Sequence, residues 1–411
     1  MNFRAMAAVL AATVVLPLGV AQATDLEVTH WWTSGGEAAA VKELATKFDA
    51  SGNKWVDGAI AGGGSTARPI MISRITGGDP MGATQFNHGR QAQELVEAGL
   101  MRDLTAVAEK GNWKEVIKPS SLLDSCTIDG KIYCVPVNIH SWQWLWLNNE
   151  AFEKAGVPVP KDWNEFVAAG PKLKEAGIHP LALGGQAWQA NGLFDTLLLA
   201  LGGKELHEAV YVKKDAEAAA GPEVAKVFEA AAQARELSMG TNVQDWNQAT
   251  NMVITGKAAG QVMGDWAQGE FQIAGKVAGK DYSCLPGLGV SQYITTGGDA
   301  FYFPVLKNEE ASKAQDALAE VLVAPETQVA FNLKKGSLPI RGDIDLGTAN
   351  DCMKKGLEIV AKGNALTSTD QLLSPDSQSQ KQDLMTEFFS SASMTPEAAQ
   401  KRFVEIISSA D

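Results

Sequence analysis

From residue 26 onward, the sequence alternates segments typical of β-strands with segments whose apolar residues recur at helical intervals. Residues 26–31 are predicted to form a strand, residues 37–48 a helix, residues 55–60 a strand and residues 66–75 a helix. Further helices are predicted at residues 91–98, at residues 152–155 and after Asp162. Alternation of this kind predicts mostly parallel sheets with helices on both faces, and ligands in such α/β folds lie beyond the carboxyl ends of the strands.

The length of the chain predicts more than one domain. It has 411 residues, whereas a single hydrophobic core stops growing at roughly 250 to 300 residues. No Pro-rich or Ser-rich linker separates two halves, and no internal repeat is present. We therefore expect two α/β lobes between which the chain crosses more than once.

The first 23 residues have the pattern of a secretory signal peptide. Arg4 precedes an apolar run over residues 6–20, and Ala21-Gln22-Ala23 supplies the small residues of a cleavage site. The run is shorter than the roughly 20 residues that span a bilayer. We expect a protein that is exported to the periplasm, that does not insert into the membrane and that works as a monomer.

Charge and motifs exclude several classes of function. The formal net charge is −13, which would repel the phosphates of nucleic acids and of anionic membranes. The five histidines form no metal-binding motif, and there is no G-x-S-x-G of a hydrolase, so we expect no metal, no cofactor and no catalytic residue. The glycine run at residues 62–64 lacks the lysine of a phosphate loop, and it predicts instead a flexible turn from which the hydroxyl of Thr66 reaches a ligand.

The four cysteines are predicted to form two disulfides. Cys126 and Cys134 flank a segment in which a three-residue Asp-Gly-Lys loop would set them opposite each other in a hairpin. Cys284 and Cys352 then pair by elimination. A zinc site is the alternative, but neither pair has CxxC spacing.

Tryptophan is the residue type that points to a ligand. Several of the 11 tryptophans lie beside polar residues where strands give way to helices, as do the Trp31-Trp32 pair, Trp188 and Trp266. A sugar ring has apolar C–H faces and a rim of hydroxyls, so flat indoles with fixed polar groups around them suit it. Four tryptophans are expected to fill the core instead: Trp113, Trp142, Trp146 and Trp163.

Three segments carry a resemblance to a known family. VPKDWNEF at residues 159–166, TGKAAGQVMGDW at residues 255–266 and KKGSLPIR at residues 334–341 together resemble the family 1 extracellular solute-binding proteins of sugar ABC transporters. The start WWTSGGE at residues 31–37 is most similar to the glucose- and mannose-binding branch. The resemblance covers nearly the whole chain after the signal peptide.

This resemblance implies two Rossmann-like lobes of the type II periplasmic binding protein kind, joined by a hinge of several crossings, with the sugar between them. The first lobe would take residues 24–137 and 294–323, and the second residues 138–293 and 324–411. The sugar, once bound, would be delivered to a membrane-embedded permease. The sugar-binding residues that it implies are Trp31, Trp32, Glu37, Trp266, Asp299 and Lys335.

The sequence departs from the family at two places. Where relatives present Lys or His after the third strand, this chain has Asn87 and His88, so either one is a candidate. Where glucose binders carry a His near the end, this chain has the segment that contains Gln378, which leaves another hexose, a polyol or a glycoside open. Two other classes of function remain as alternatives: a secreted carbohydrate-active enzyme, and a binding protein for a non-sugar solute.

Overall fold

The computed structural model describes residues 24–410, so the predicted signal peptide over residues 1–23 lies outside the described part of the chain. The chain forms two α/β lobes, each with its own sheet and its own hydrophobic core. The strands are β1 Asp25–His30, β2 Lys54–Ala59, β3 Ala83–Asn87, β4 Thr127–Ile128, β5 Lys131–Ile132, β6 Cys134–Pro136, β7 Trp144–Asn148, β8 His179–Leu181, β9 Ala258–Val262, β10 Tyr282–Pro286, β11 Ile294–Thr295, β12 Asp299–Tyr302 and β13 Ala365–Leu366.

The helices lie between and around these strands. They are α1 Gly35–Ala50, α2 Gly64–Thr76, α3 Gln93–Glu97, α4 Thr105–Lys110, α5 Trp113–Val116, α6 Ser121–Asp124, α7 Asn149–Lys154, α8 Trp163–Glu175, α9 Ala187–His207, α10 Ala216–Ala220, α11 Pro222–Ser238, α12 Trp246–Ile254, α13 Ala267–Ile273, α14 Glu309–Val323, α15 Pro325–Lys335, α16 Asp351–Ala361, α17 Thr369–Leu372, α18 Pro375–Ser390 and α19 Pro396–Ser409.

Both sheets are mixed, so the expectation of mostly parallel sheets is wrong. The first lobe has the strand order β2-β1-β3-β12-β6, in which β1 is parallel to β2 and β3, and β12 is antiparallel to β3 and β6. The second has the order β10-β7-β9-β8, in which β8 and β9 are parallel and β7 is antiparallel to β9 and β10. One strand in each lobe runs opposite to its neighbours, namely β12 in the first lobe and β7 in the second. The chain enters each of these strands from the other lobe, so each strand starts at the edge of the sheet where its neighbours end.

The two hydrophobic cores show how the chain is shared between the lobes. Residues 137–143 connect β6 to β7, and residues 287–298 lead from β10 back to β12. Phe331, Leu338 and Ile340 are buried in the first core. Helix α15 and the segment after it therefore pack against the first core. From Leu373 onward, the buried side chains belong to the second core.

Local sequence signals explain the start of the two best-predicted helices. Ser34 caps α1 in a capping box, in which its hydroxyl accepts from the Glu37 N–H at 3.4 Å and the Glu37 carboxylate accepts from the Ser34 N–H at 3.3 Å. At α8, Asp162 accepts from the Glu165 N–H at 2.9 Å, but the Glu165 carboxylate bonds the Lys161 N–H instead.

Both predicted disulfides are confirmed. Cys126 pairs with Cys134, and Cys284 pairs with Cys352 across 68 positions of the sequence. The hairpin differs from the expected one, because β4 and β5 are joined by a two-residue turn at Asp129 and Gly130, which both have positive φ. This register sets Cys126 opposite Tyr133, one residue before Cys134.

Candidate ligand-binding site

A cavity of about 570 Å³ lies between the two lobes, at the edge of the sheets where the strands end. Trp31 follows β1, Asn87 ends β3 and Trp266 comes after β9, while Asp299 begins the reversed strand β12. The arrangement agrees with the rule that ligands of α/β sheets bind beyond the carboxyl ends of the strands. The volume lies within the roughly 300–1,000 Å³ of small-ligand pockets.

Six tryptophans line this cavity, four of which come from the second lobe. The ring of Trp266 lies 4.8 Å from that of Trp142 and 6.4 Å from that of Trp188, measured between centroids. Trp246 lies 6.5 Å from Trp266 and completes an aromatic wall. Trp142 therefore does not fill the core as we expected, whereas Trp113, Trp146 and Trp163 are buried in the cores.

The two adjacent tryptophans after β1 have different environments. Trp32 is only 1% exposed and packs against Phe301 and Phe331 in the first core. Trp31 is half-buried, and the Arg68 guanidinium lies 5.7 Å above its ring. Because neighbouring side chains on an extended segment point to opposite sides, Trp32 packs into the core where it borders the cavity, while Trp31 is the more exposed of the two indoles.

A buried ion pair joins the start of α1 to the end of α15. The Lys335 ammonium donates to Glu37 Oε1 at 3.1 Å, and the Lys335 side chain is only 1% exposed. The rings of Trp32 and Trp266 flank this ammonium at 5.8 and 5.9 Å. Glu37 thus serves the capping box and the cavity wall at once. An ammonium has three N–H donors, so Lys335 keeps donors for a ligand beyond its bond to Glu37.

Asp299 is the centre of a buried hydrogen-bond network at the crossing between the lobes. Its carboxylate accepts from Gln85 Nε2 at 2.7 Å and from Asn138 Nδ2 at 3.0 Å, and it lies 3.1 Å from His140 Nε2. Burial raises the pKa of Asp299, and burial together with the Lys335 ammonium holds the pKa of His140 well below its usual range. His140 is therefore neutral and acts as a hydrogen-bonding group.

Asn87, His88 and Thr66 were also predicted to contact the ligand, and of these only Asn87 lines the cavity. Asn87 lines the cavity and bonds the Gly298 carbonyl, whereas His88 lies behind it and is not part of the lining. His88 Nδ1 lies 2.9 Å from Ser125 Oγ, and burial lowers the pKa of this imidazole to about 4. Thr66 is also outside the lining, because its hydroxyl donates to the Gly62 carbonyl within its own turn.

Gln378 presents a free amide to the cavity. It is 7% exposed and lines the wall near the start of α18. Neither its Nε2 nor its Oε1 has a hydrogen-bond partner within residues 24–410. An unpaired buried amide costs free energy, which a ligand with both donors and acceptors would restore.

Several lining residues were not predicted as part of the site. They are Arg68, Trp142, Gln186, Asp245, Trp246 and Asp370. Trp188, which the sequence singles out by its position after Gly184-Gly185, lines the cavity beside Trp266. Arg68 and Asp370 carry no comparable signal, because their places depend on how α2 and α17 meet across the cavity.

Within residues 24–410, every helix is too short or too polar to span a bilayer. No cluster of three or more His, Cys, Asp or Glu side chains in this part of the chain is arranged to hold a metal ion.

Comparisons with known proteins agree with this architecture. Residues 32–329 match the family model described as bacterial extracellular solute-binding protein. A probable sugar-binding periplasmic protein of Rhizobium meliloti (strain 1021) is 38% identical over 345 residues, which cover 83% of this chain and 82% of the relative.

Solved structures share the fold at lower identity. A chitin oligosaccharide binding protein superposes with a TM-score of 0.76 at 20% identity, over 94% of this chain and 98% of the other. A bacterial solute receptor with a preference for β-D-galactopyranose gives a TM-score of 0.75 at 21% identity, over 93% and 98%. Because the family model matches residues 32–329 and the Rhizobium meliloti relative is 38% identical, the chain belongs to the bacterial extracellular solute-binding protein family.

Proposed function

We propose that this chain is the periplasmic substrate-binding component of an ABC sugar importer. In this proposal it holds a monosaccharide of the glucose, mannose or galactose kind between its lobes and delivers it to the permease without altering it. The observation that carries the proposal is the cavity between the lobes, in which indoles from both sides face polar groups. The name of the Rhizobium meliloti relative supports a sugar as the ligand.

The cavity supplies both kinds of contact that a sugar needs. Trp266 and Trp31 offer indole faces from opposite lobes, each against one apolar face of a ring. Lys335 and Gln378 offer hydrogen-bonding groups that the protein leaves incompletely used. Asn87 and Asp299 complete the polar rim, although their own partners already hold them in place. Because burying a hydroxyl without a partner is costly, this rim decides which sugar fits.

We expect the two lobes to close on the sugar, because the side chains that contact it come from both lobes. The indoles of Trp31 and Trp266 belong to different lobes, so one sugar touches both only when the lobes are close together. A ligand that makes its contacts in the closed form shifts the open–closed equilibrium toward that form by its difference in affinity. We expect binding to make the molecule more compact and to leave the sugar unchanged.

The direct test is a thermal-shift screen of residues 24–411 with monosaccharides, disaccharides and polyols, followed by calorimetry on the compounds that stabilise the protein. A ligand at about 100 times its Kd adds about 2.7 kcal/mol to the free energy of unfolding. Small-angle scattering measures compaction, and chromatography of the recovered sugar tests for turnover. Failure of every sugar to raise the melting temperature, or release of a converted product, would contradict the proposal.

A pair of variants separates the cavity from general packing. Trp266→Ala removes one stacking face and is expected to abolish the thermal shift. Trp163→Phe changes a tryptophan buried in the second core, away from the cavity, and should lower the melting temperature without changing the sugar's Kd.

A further inference from the structure

A small side chamber opens from the cavity into the second lobe. Its volume is about 70 Å³, and it shares five residues with the wall of the main cavity: Trp142, Trp188, Ser368, Asp370 and Gln382. Its interior is formed mainly by polar side chains from α9 and from the segment around α17: Asn191, Asp195, His207, Ser368, Thr369 and Asp370.

Two carboxylates line the chamber: Asp370, which interacts with the charge of Arg68, and Asp195, which the protein holds in an ion pair. The Asp195 carboxylate lies 2.9 and 3.0 Å from the fully buried Lys381 ammonium and accepts from the Tyr211 hydroxyl at 2.5 Å. The Thr369 hydroxyl donates to the same carboxylate at 3.2 Å. Such a satisfied ion pair forms a rigid wall and leaves no unpaired charge at Asp195 to attract an ionic ligand.

Two polar atoms of the chamber wall remain unsatisfied. Among the described residues 24–410, neither Asn191 Oδ1 nor Ser368 Oγ has a hydrogen-bond partner. Both side chains are more than nine-tenths buried, at 7% and 5% exposure. Buried polar groups are nearly always paired, so these atoms require a guest that donates a proton to the Asn191 carbonyl and bonds the Ser368 hydroxyl.

The volume and the mouth of the chamber limit what this guest is. The chamber has a volume of about 70 Å³, against about 570 Å³ for the main cavity, so it accepts a small substituent of a sugar and not the ring itself. The indoles of Trp142 and Trp188, with centroids 5.3 Å apart, stand where the chamber meets the main cavity. An apolar carbon against these two contacting indoles and a hydroxyl at the polar end fit this arrangement.

We propose that the side chamber receives the exocyclic hydroxymethyl group of a hexopyranose, and that the chain thereby selects hexoses over the pentoses that lack this group. The proposal rests on the proposed sugar-binding function and names its substrate class. Asn191 and Ser368 are its specificity-determining residues. A pentopyranose bound in the same orientation leaves both polar atoms unpaired and the chamber empty of sugar.

The test compares matched sugars that differ only in this substituent. D-Glucose and D-xylose form one pair, and D-galactose and L-arabinose form the other, with Kd measured by calorimetry. We expect the hexose of at least one pair to bind about 10- to 100-fold more tightly than its pentose. The 6-deoxy hexose should fall between them, because it fills the chamber without the hydroxyl. If only disaccharides bind, cellobiose and xylobiose provide the same comparison.

Variants of the chamber locate the selectivity. Asn191→Leu fills the chamber with apolar atoms and should reduce the hexose-to-pentose ratio to within about threefold, while the pentose Kd stays as in the unsubstituted chain. Ser368→Ala is a smaller change, kept in case Asn191→Leu does not fold, and it should lower the ratio in the same direction. Thr327→Val is the control, because it removes a buried hydroxyl of α15 that lines neither cavity.

The outcomes separate this inference from the proposed function. Equal affinities for hexose and pentose, or variants that weaken both sugars by the same factor, overturn the chamber's role while sugar binding itself stands. Binding of no sugar at all overturns the proposed function and this inference with it.

Discussion

Substitution of Lys335 by Met tests the ion pair at the centre of the cavity. The change leaves the Glu37 carboxylate buried without its counter-charge, and breaking a buried pair costs about 3–5 kcal/mol of stability. Glu37 still accepts from the Ser34 N–H and lies in the first turn of α1, where the helix dipole favours a negative charge. We therefore expect a loss of about 3 kcal/mol, at the lower end of that range.

The same substitution is expected to weaken ligand binding by a separate route. Lys335 donates to Glu37 and keeps further N–H donors at the cavity wall. A hydrogen bond from a charged group contributes about 1.5–3 kcal/mol, which corresponds to a Kd that rises about 10- to 150-fold. Urea unfolding measures the stability effect, and calorimetry with the sugar found in the screen measures the affinity.

A double variant distinguishes these two effects. Lys335→Met combined with Glu37→Gln removes both charges, and glutamine retains the second bond of the capping box. Stability should return to within about 1 kcal/mol of the unsubstituted chain, because no unpaired charge remains buried. Affinity should stay low. Normal sugar affinity in Lys335→Met, or a double variant as unstable as the single one, would refute this reasoning.

Three further predictions concern stability. Gly36→Ala brings a Cβ to 2.7 Å from backbone of the second lobe and should cost about 1–3 kcal/mol in thermal unfolding, whereas Gly35→Ala, with its nearest atom at 3.6 Å, should be nearly neutral. Replacing Cys284 and Cys352 by serine should lower the free energy of unfolding by about 4 kcal/mol, since the bond closes a loop of 68 residues; a loss below about 1 kcal/mol in urea would contradict this. Burial raises the pKa of Asp265 to about 8, so the folded chain holds a proton that the unfolded chain loses near 3.8, and its contribution to stability falls as pH rises between these values. Asp265→Asn should flatten that decline in unfolding curves recorded across this range, and an unchanged slope would contradict it.

The sequence predicted best what depends on neighbouring residues. Ser34 and Glu37 are three positions apart, and this spacing alone predicts the capping box that the structure shows. The Asp-Gly turn brings Cys126 near Cys134 in a similarly local way, although the turn has two residues rather than three. Strand and helix bounds were close to those observed, as for α1 and β2.

Features that depend on the path of the chain between lobes were not predictable in this way. The sheets are mixed because β12 and β7 are entered from the opposite lobe, and periodicity carries no information about strand direction. Trp142 lines the cavity because it lies in such a crossing, between Ser141 and Gln143, and the periodicity of the sequence does not show where a crossing lies. His88 lies behind the cavity because β3 ends at Asn87, and a shift of one residue turns a side chain to the other face.

The start of α1 explains how a ligand would affect both lobes at once. Its Gly36 N–H donates at 2.7 Å to Glu270 of α13, which belongs to the second lobe, while the next residue, Glu37, pairs with Lys335 at the cavity wall. A sugar that bonds Lys335 affects the ion pair between Lys335 and Glu37. Glu37 is next to Gly36, which makes the contact with the second lobe. In the proposed mechanism, sugar binding therefore changes the stability of the contact between the lobes through the start of α1. A substitution at Glu270, which is not one of the residues that line the cavity, should then change sugar affinity by changing the open–closed equilibrium.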